Sequence, residues 1–346
     1  MSISHKECED LVTALYRGVL DRDPDADGLA HWVNLLQSGR SLRDVCMALM
    51  SSDEAQIKEQ LRTRLHDTSE LDQRFANILQ SLMEEKLTIV DIGAQNLASE
   101  KHVYHRLNSC NLVKNIVCFE PIIEKAIERE RSDPLAIVHT TALGDGNEQM
   151  LHINNVDATS SLLPINQEIM GSTEHLYSLK TKYIEKIKTT RLDDIELPDQ
   201  VDLLKLDIQG YEFNVLEHGL NTLKRTLAIY SELEIQPIYK EQKLVGDMIC
   251  LLDENEFQLH DLYNQVRLSS VNFRAASPNL RGSALYWTDG LFFKKTNYLD
   301  TQELIKQAAI AHYLYSSYDK CYDNLTLVDT RENTNFAQKY LDIVNL

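Results

Sequence analysis

Between residues 87 and 295 the chain repeats one pattern, a short apolar run rich in strand formers followed by stretches of helical spacing. The runs are LTIVDIG (87–93), NIVCFE (115–120), AIVHTTAL (136–143), VDLLKLDI (201–208), LAIYSELEI (227–235) and ALYWTDGLFFKK (284–295). Near-continuous apolar strands between helices imply a sheet covered on both faces, with parallel strands in the α/β manner. Ligands of such sheets bind beyond the carboxyl ends of the strands. The polar residues placed there become the functional candidates: Asp91, Glu120, Asp145, Asp207 and Glu232.

The remainder of the chain reads as helix. With 346 residues and 43% hydrophobic content, there is material for about two buried cores. Leu11, Leu15 and Val19, then Leu29, Trp32, Val33 and Leu36, then Leu42, Val45 and Leu49 form three stripes at helical spacing. They suggest a small helical module over 1–66. Residues 67–86, with Phe75, Ile78, Leu79 and Leu82 as a sparse apolar face, read as a helical bridge. The α/β domain is expected over 87–299, and a polar, tyrosine-rich extension of accessory helices over 300–346.

Composition removes several function classes. The formal net charge of −18 argues against a general nucleic-acid binder, because phosphates repel an acidic surface. No apolar run approaches the ~20 residues of a membrane span, and MSISHKECED has no signal-peptide core. The six cysteines are scattered without a C-x-x-C pair, and the histidines lack metal-ligand spacing. A reduced, cytoplasmic protein with no metal is expected, with an oxygen-ligated cation at Asp207 and Glu232 left as an alternative. DPDADG at 23–28 copies the first half of a calcium loop, but Asn34 stands where its bidentate Glu belongs. An acidic turn in which Asp25 or Asp27 caps the Trp32 helix is the simpler expectation.

The strand ends carry their own chemistry. Gly93 permits a tight turn, but the G-x-G-x-x-G fingerprint is absent, which disfavours a dinucleotide pyrophosphate. Glu120 suits a pair of ribose hydroxyls. Asp145 suits an adenine amino group, with Ala142 and Leu143 against the ring; a plain Gly-Asp-Gly turn is the alternative. Lys205, Asp207 and Gln209 share strand parity, and a lysine within an apolar strand needs an acid beside it. Glu212 suits a helix N-terminus. Glu232 and Glu234 share parity, and Glu234 could be the structural partner of Lys205.

The ordered blocks VDIGA, CFEP, TALGD, TSSLLP, TTRLDDIELP, DLLKLDIQGYEFNVLEHG, SELEIQPIYKEQKL, EFQLHDLY and TDGLFF resemble the FkbM family of S-adenosylmethionine-dependent methyltransferases over roughly residues 87–295. The resemblance implies a Rossmann-like methyltransferase sheet and methyl transfer to a hydroxyl of a sugar, glycan or secondary metabolite. It implies a cofactor loop at Asp91, Gly93 and Ala94, a ribose acid at Glu120, and a strand signature at Lys205, Asp207, Gly210 and Glu212. It also implies a substrate-side signature at Glu232, Pro237, Tyr239 and Gln242, with Asp289 before the last strand. Gln95 and Leu97 depart from the family's usual G-A-N-x-G, and Gln209 stands where Glu is common. LYRGVLDRDPDADGLAHWVNLLQSGRSLRDVCMALMSSDE resembles a short helical repeat of unassigned function, found in secreted repeat proteins and beside bacterial glycosyltransferases and methyltransferases.

The expected enzyme is therefore an S-adenosylmethionine-dependent O-methyltransferase. Asp207 and Glu232 are candidate bases, and Lys205 is an electrostatic partner or a base. Glu212, Tyr239, Gln242 and Asp289 stand on the substrate side, and the acceptor is a small molecule or glycan. Two rivals remain: a non-catalytic interaction protein on the same fold, and a nicotinamide-dependent oxidoreductase. A homo-oligomer, and a partner bound through the N-terminal module, stay open.

Overall fold

The computed structural model describes residues 5–20, 24–50, 69–95, 101–276 and 282–345. The chain divides into two compact units, residues 1–71 and 72–346. The expected module boundary at 66, and Leu97 of the first loop, lie outside the described residues.

The first unit contains the helices His5–Leu20, Ala26–Gln37 and Leu42–Met50. Cys8, Val12, Tyr16, Val33 and Leu49 form its core. Trp32 belongs to this packing, and its indole Nε1 donates to the Tyr16 hydroxyl at 3.1 Å. The acidic loop acts as a cap: Asp25 precedes the second helix and accepts from the Gly28 amide at 2.8 Å.

In the second unit the strands are β1 (Leu87–Ile92), β2 (Val113–Phe119), β3 (Ala136–His139), β4 (Ala142–Leu143), β5 (Glu148–Asn154), β6 (Thr181–Thr190), β7 (Val201–Leu206), β8 (Thr226–Glu234), β9 (Phe257–Leu268) and β10 (Ala284–Lys294). Seven form one sheet in the order β3-β2-β1-β7-β8-β10-β9. β1 and β7 are buried along their whole length, as their unbroken apolar runs require. The α/β fold with helices on both faces is present, but the sheet is mixed: β10 runs antiparallel to both β8 and β9. The run at 136–143 also divides, because β4 leaves the main sheet and pairs with β6 in a three-stranded sheet of order β4-β6-β5. The order reverses at β1 and β7, so a crevice opens beyond their carboxyl ends.

The stretches expected to be bridge and accessory tail are packed as core. Helix Ser69–Leu82 buries Phe75, Ala76 and Leu79 in one cluster with Leu203 of β7 and with Leu304, Ala308 and Ala311 of helix Thr301–Tyr315. Phe75 lies parallel to Tyr313 at 6.1 Å. Asp72 receives Arg106 at 2.5 Å and is 3.2 Å from His312, while the Tyr313 hydroxyl donates to the Asp72 carbonyl. Residues 72–86 and the extension are thus structural parts of the second unit. The tail looked accessory because its buried positions include Gln307, His312 and Asn324, polar side chains that satisfy one another or backbone carbonyls.

Candidate active site

The register of β1 and β7 sets Asp91 beside Lys205. Lys205 Nζ is 3.1 Å from Asp91 Oδ1 and 3.7 Å from Asp207 Oδ2, and it donates to the Gly93 carbonyl at 2.8 Å. Burial pushes the ammonium's pKa down, but the two carboxylates outweigh it and hold the group above its usual range. A lysine base needs the opposite shift, so Lys205 acts as a fixed cation. Asp91 is fully buried and also accepts from the Tyr104 hydroxyl at 2.5 Å. Ala94 is equally buried, in the core cluster. Both residues therefore stand behind the first loop, out of reach of a ligand.

Gly93 itself is exposed to the crevice and has φ +77°; a Cβ there would lie 1.9 Å from the Asp207 carbonyl oxygen. Only glycine lets the β1 and β7 loops approach this closely. Beyond them is a cavity of about 650 Å³. Its walls carry Gly93, Glu120, Ala142 and Leu143 on one side, and Asp207, Gln209, Glu232, Trp287 and Asp289 on the other.

Glu120 accepts from the Ile122 amide at 2.9 Å through Oε1. Burial raises its carboxyl pKa despite that bond. Asp145 is not in the wall. Its carboxylate accepts from the Asn147 amide at 2.9 Å and from the Asn147 and Gln149 side chains, each at 3.0 Å. Burial raises its pKa, but these donors more than reverse that and hold the group below the ordinary carboxylate range. The Gly-Asp-Gly turn consumes Asp145, and no adenine contact is assigned to it.

On the other wall the side chain of Asp207 is 45% exposed. Gln209, at φ +58°, bridges the two candidate acids: its Nε2 lies 3.1 Å from Asp207 Oδ1 and 3.1 Å from Glu232 Oε2. The Tyr239 hydroxyl shares its proton between the Thr159 carbonyl at 2.8 Å and Gln209 Oε1 at 3.2 Å, which fixes the amide's orientation. The sequence marks Gln209 by strand parity with Lys205 and Asp207 and as a departure from the family pattern, but the strand ends at Leu206, and the left-handed turn at Gln209 gives it the bridging role.

Three residues expected on the substrate side lie behind this wall. Glu212 is buried at the start of helix Glu212–Glu217 and accepts from the Ile208 amide at 2.7 Å, so it pins the loop that carries Asp207. Tyr239 and Gln242 are buried against Gly210, whose φ is +92° and whose absent Cβ would meet Gln242 Nε2 at 2.6 Å. Asp289 does reach the cavity. Glu234 does not pair with Lys205, whose acids are Asp91 and Asp207. Instead Glu212, Glu232 and Glu234 bring one oxygen each within 4.8 Å of one another. Burial raises all three pKa values, that of Glu212 to about 7, and repulsion adds to it, from Asp207 at Glu212, from Asp207 and then Glu234 at Glu232, and from Glu212 at Glu234. The cation alternative places an ion at Asp207 and Glu232, whereas the acids grouped in the structure are Glu232, Glu212 and Glu234, without Asp207.

A crevice at a reversal of strand order, a glycine turn and an acid at the end of the neighbouring strand define a nucleoside-cofactor enzyme of the Rossmann-like class. Residues 91–259 match the methyltransferase FkbM domain and residues 4–58 a domain of unknown function (DUF4214). The chain thus carries an FkbM methyltransferase domain and is an S-adenosylmethionine-dependent methyltransferase. The 2-O-methyltransferase NoeI of Sinorhizobium fredii (strain NBRC 101917 / NGR234) is 28% identical over 178 residues, covering 49% of this chain and 72% of the relative. Two solved structures are similar at low TM-score. The magnesium protoporphyrin IX methyltransferase (ChlM) of Synechocystis PCC 6803 has TM-score 0.30 and 10% identity, over 83% of this chain and 97% of that one. The TehB-like methyltransferase of Corynebacterium glutamicum has TM-score 0.31 and 9% identity, over 68% and 97%. Among the described residues no helix is long and apolar enough to cross a membrane.

Proposed function

We propose that the chain methylates an oxygen, the hydroxyl of a sugar, glycan or secondary metabolite. The observation that carries this reading is one cavity with Glu120 on one wall and the Asp207–Gln209–Glu232 bridge on the other. The first suits a ribose, and the second suits a hydroxyl about to lose its proton. The 2-O-methyltransferase relative supports oxygen as the acceptor atom. When bound, the cofactor supplies an electrophilic methyl on a sulfonium. The chain's residues hold the acceptor oxygen in line with that methyl and exclude water. Asp207, fixed by Gln209, orients the hydroxyl and takes its proton. Burial, and repulsion from Asp207 beside it, push the Glu232 carboxyl pKa well above its ordinary range. Comparing the host's glycans by mass spectrometry with and without this gene tests the acceptor class. A methylated hydroxyl lost with the gene is expected, and unchanged glycans and metabolites would overturn the reading. Titration with NAD, expected to show no binding, separates the oxidoreductase rival.

Glu120→Ala is expected to weaken S-adenosylmethionine binding at least about tenfold, because a carboxylate–hydroxyl bond is worth ~1.5–3 kcal/mol before desolvation losses. Calorimetry checks this, and unchanged affinity would remove Glu120 from the ribose site. A fragment starting near Ser69 should bind the cofactor as the full chain does, since the residues that line the cavity belong to the second unit. Loss of binding by a folded fragment would contradict that division. The first unit is then left for recruiting a partner or acceptor, which a pull-down with full and shortened chains can read.

A further inference from the structure

The Asp289 end of the cavity is tied to the C-terminal helix Thr301–Tyr315 by a closed set of hydrogen bonds. Tyr230 of β8 donates to Asp289 Oδ2 at 2.5 Å, and Asn264 Nδ2 of β9 donates to the same oxygen at 2.7 Å. Asn264 Nδ2 also donates to the Tyr315 hydroxyl at 2.9 Å, and the Tyr230 and Tyr315 hydroxyls are 2.9 Å apart. Counting protons assigns the directions. Tyr230 has one proton, which is on Asp289, so Tyr315 donates to Tyr230. Asn264 has two amide protons, one for Asp289 and one for Tyr315. Two donors of the set, the Tyr230 hydroxyl and the Asn264 amide, therefore converge on Oδ2, with Tyr315 behind them, and Oδ1 takes no part in it.

The backbone is shaped to make this possible. Asp289 pairs with Tyr263 and Trp287 with Val266, so β9 carries an extra residue opposite this stretch of β10. Asn264 sits in that bulge at φ +49°, a left-handed conformation that asparagine tolerates better than most residues. Bulges of this kind re-aim side chains beside functional sites. The Tyr315 ring is held parallel to Tyr263 at 3.7 Å, so the hydroxyl is placed by stacking as well as by hydrogen bonds.

We propose that Tyr315 is a positioning residue of the methyl-transfer site: through Tyr230 and Asn264 it orients the Asp289 carboxylate, fixing one oxygen and leaving the other for the acceptor. The inference rests on the reading of Asp289 as an acceptor-side acid. Hydrogen-bonded chains strengthen one another when protein surrounds them, so removing the outermost hydroxyl weakens the bonds that stabilise the charged carboxylate. The groups facing Asp289 are Lys205 of β7 and Asp207 at its end, Glu232 and Tyr230 of β8, Tyr263 of β9 and Tyr315. Burial already raises the Asp289 pKa, and Asp207 adds to it.

The chain has two tryptophans, Trp32 and Trp287. In a full-length Trp32→Phe background the remaining indole lines the cavity two residues from Asp289. Its fluorescence, followed against pH without cofactor, should show a step that Asp289→Asn abolishes. Tyr315→Phe, which keeps the stacked ring, should move the midpoint up by roughly 0.5 unit or more, and Tyr230→Phe should move it further. A step that survives Asp289→Asn overturns the proposal. So does a Tyr315→Phe midpoint that stays in place while the melting temperature falls, the result of a merely structural tyrosine. The titration requires neither cofactor nor acceptor, so a mistaken acceptor class leaves its outcome readable.

Discussion

Lys205→Met is expected to destabilise the second unit by about 3–5 kcal/mol, the typical cost of removing one member of a buried ion pair. Lys205 is 9% exposed, and Asp91 beside it is fully buried. Methionine fills the volume but leaves Asp91 with the Tyr104 hydroxyl and His102, 3.6 Å away, as its compensating groups. The same substitution frees the Gly93 carbonyl, which Lys205 holds at 2.8 Å, so S-adenosylmethionine affinity should fall as well. Urea denaturation followed by circular dichroism reads the first effect through a lower midpoint at unchanged slope. Adding Asp91→Asn to Lys205→Met should recover part of the loss, because the stranded charge is then gone. If Lys205→Met melted like the parent chain, the pair would contribute no net stability and Lys205 would have to be explained by the cavity alone.

The same lysine shows what was legible in the sequence. A cation inside VDLLKL demanded a buried acid, and the apolar runs of β1, β2, β7 and β8 demanded a covered sheet; both demands follow from burial, which sequence composition records directly. Where burial is partial the record fades. β6 reads TKYIEKIKTT and is mostly exposed, so its charges masked a strand. The tail inverted the signal, since Gln307 and His312 are buried with their partners. At the site, residue type could mark Asp91, Glu212 and Tyr239 as special, but not say on which side of the wall they stand. Two loops with left-handed residues, Gly93 and Gln209–Gly210, decide that. A turn of the backbone there exchanges cavity wall for support, and side-chain chemistry is the same in either place. Asp145 failed for a related reason: a short turn can satisfy a carboxylate with its own neighbours.

Asp207→Asn is expected to lower turnover by ~10²–10⁴, the usual cost of losing a general base, while changing cofactor affinity and stability little. The geometry separates Asp207 from Asp91 on this point. Lys205 is 3.1 Å from Asp91 but 3.7 Å from Asp207, and the Asp207 side chain is 45% exposed. Neutralising it leaves Lys205 with Asp91 and the Gly93 carbonyl, so no buried charge is stranded. Asparagine also keeps an oxygen that can accept from Gln209 Nε2, now 3.1 Å away, and the Gln209 bridge to Glu232 survives. In the proposed mechanism, what is lost is the group that takes the acceptor's proton. Melting and calorimetry with S-adenosylmethionine can be run first, and both should match the parent. Single-turnover formation of S-adenosylhomocysteine, with the acceptor found from the glycan comparison, then measures the chemical step. Parent-like turnover would pass the proton to Glu232 and reduce Asp207 to a partner of Lys205. A large drop in melting temperature would instead make Asp207 part of the buried ion pair, contrary to its exposure. Glu232→Gln distinguishes the two acids further: burial and the acids around it push its carboxyl pKa well above the ordinary range, so its removal should cost less than that of Asp207 if Asp207 is the base.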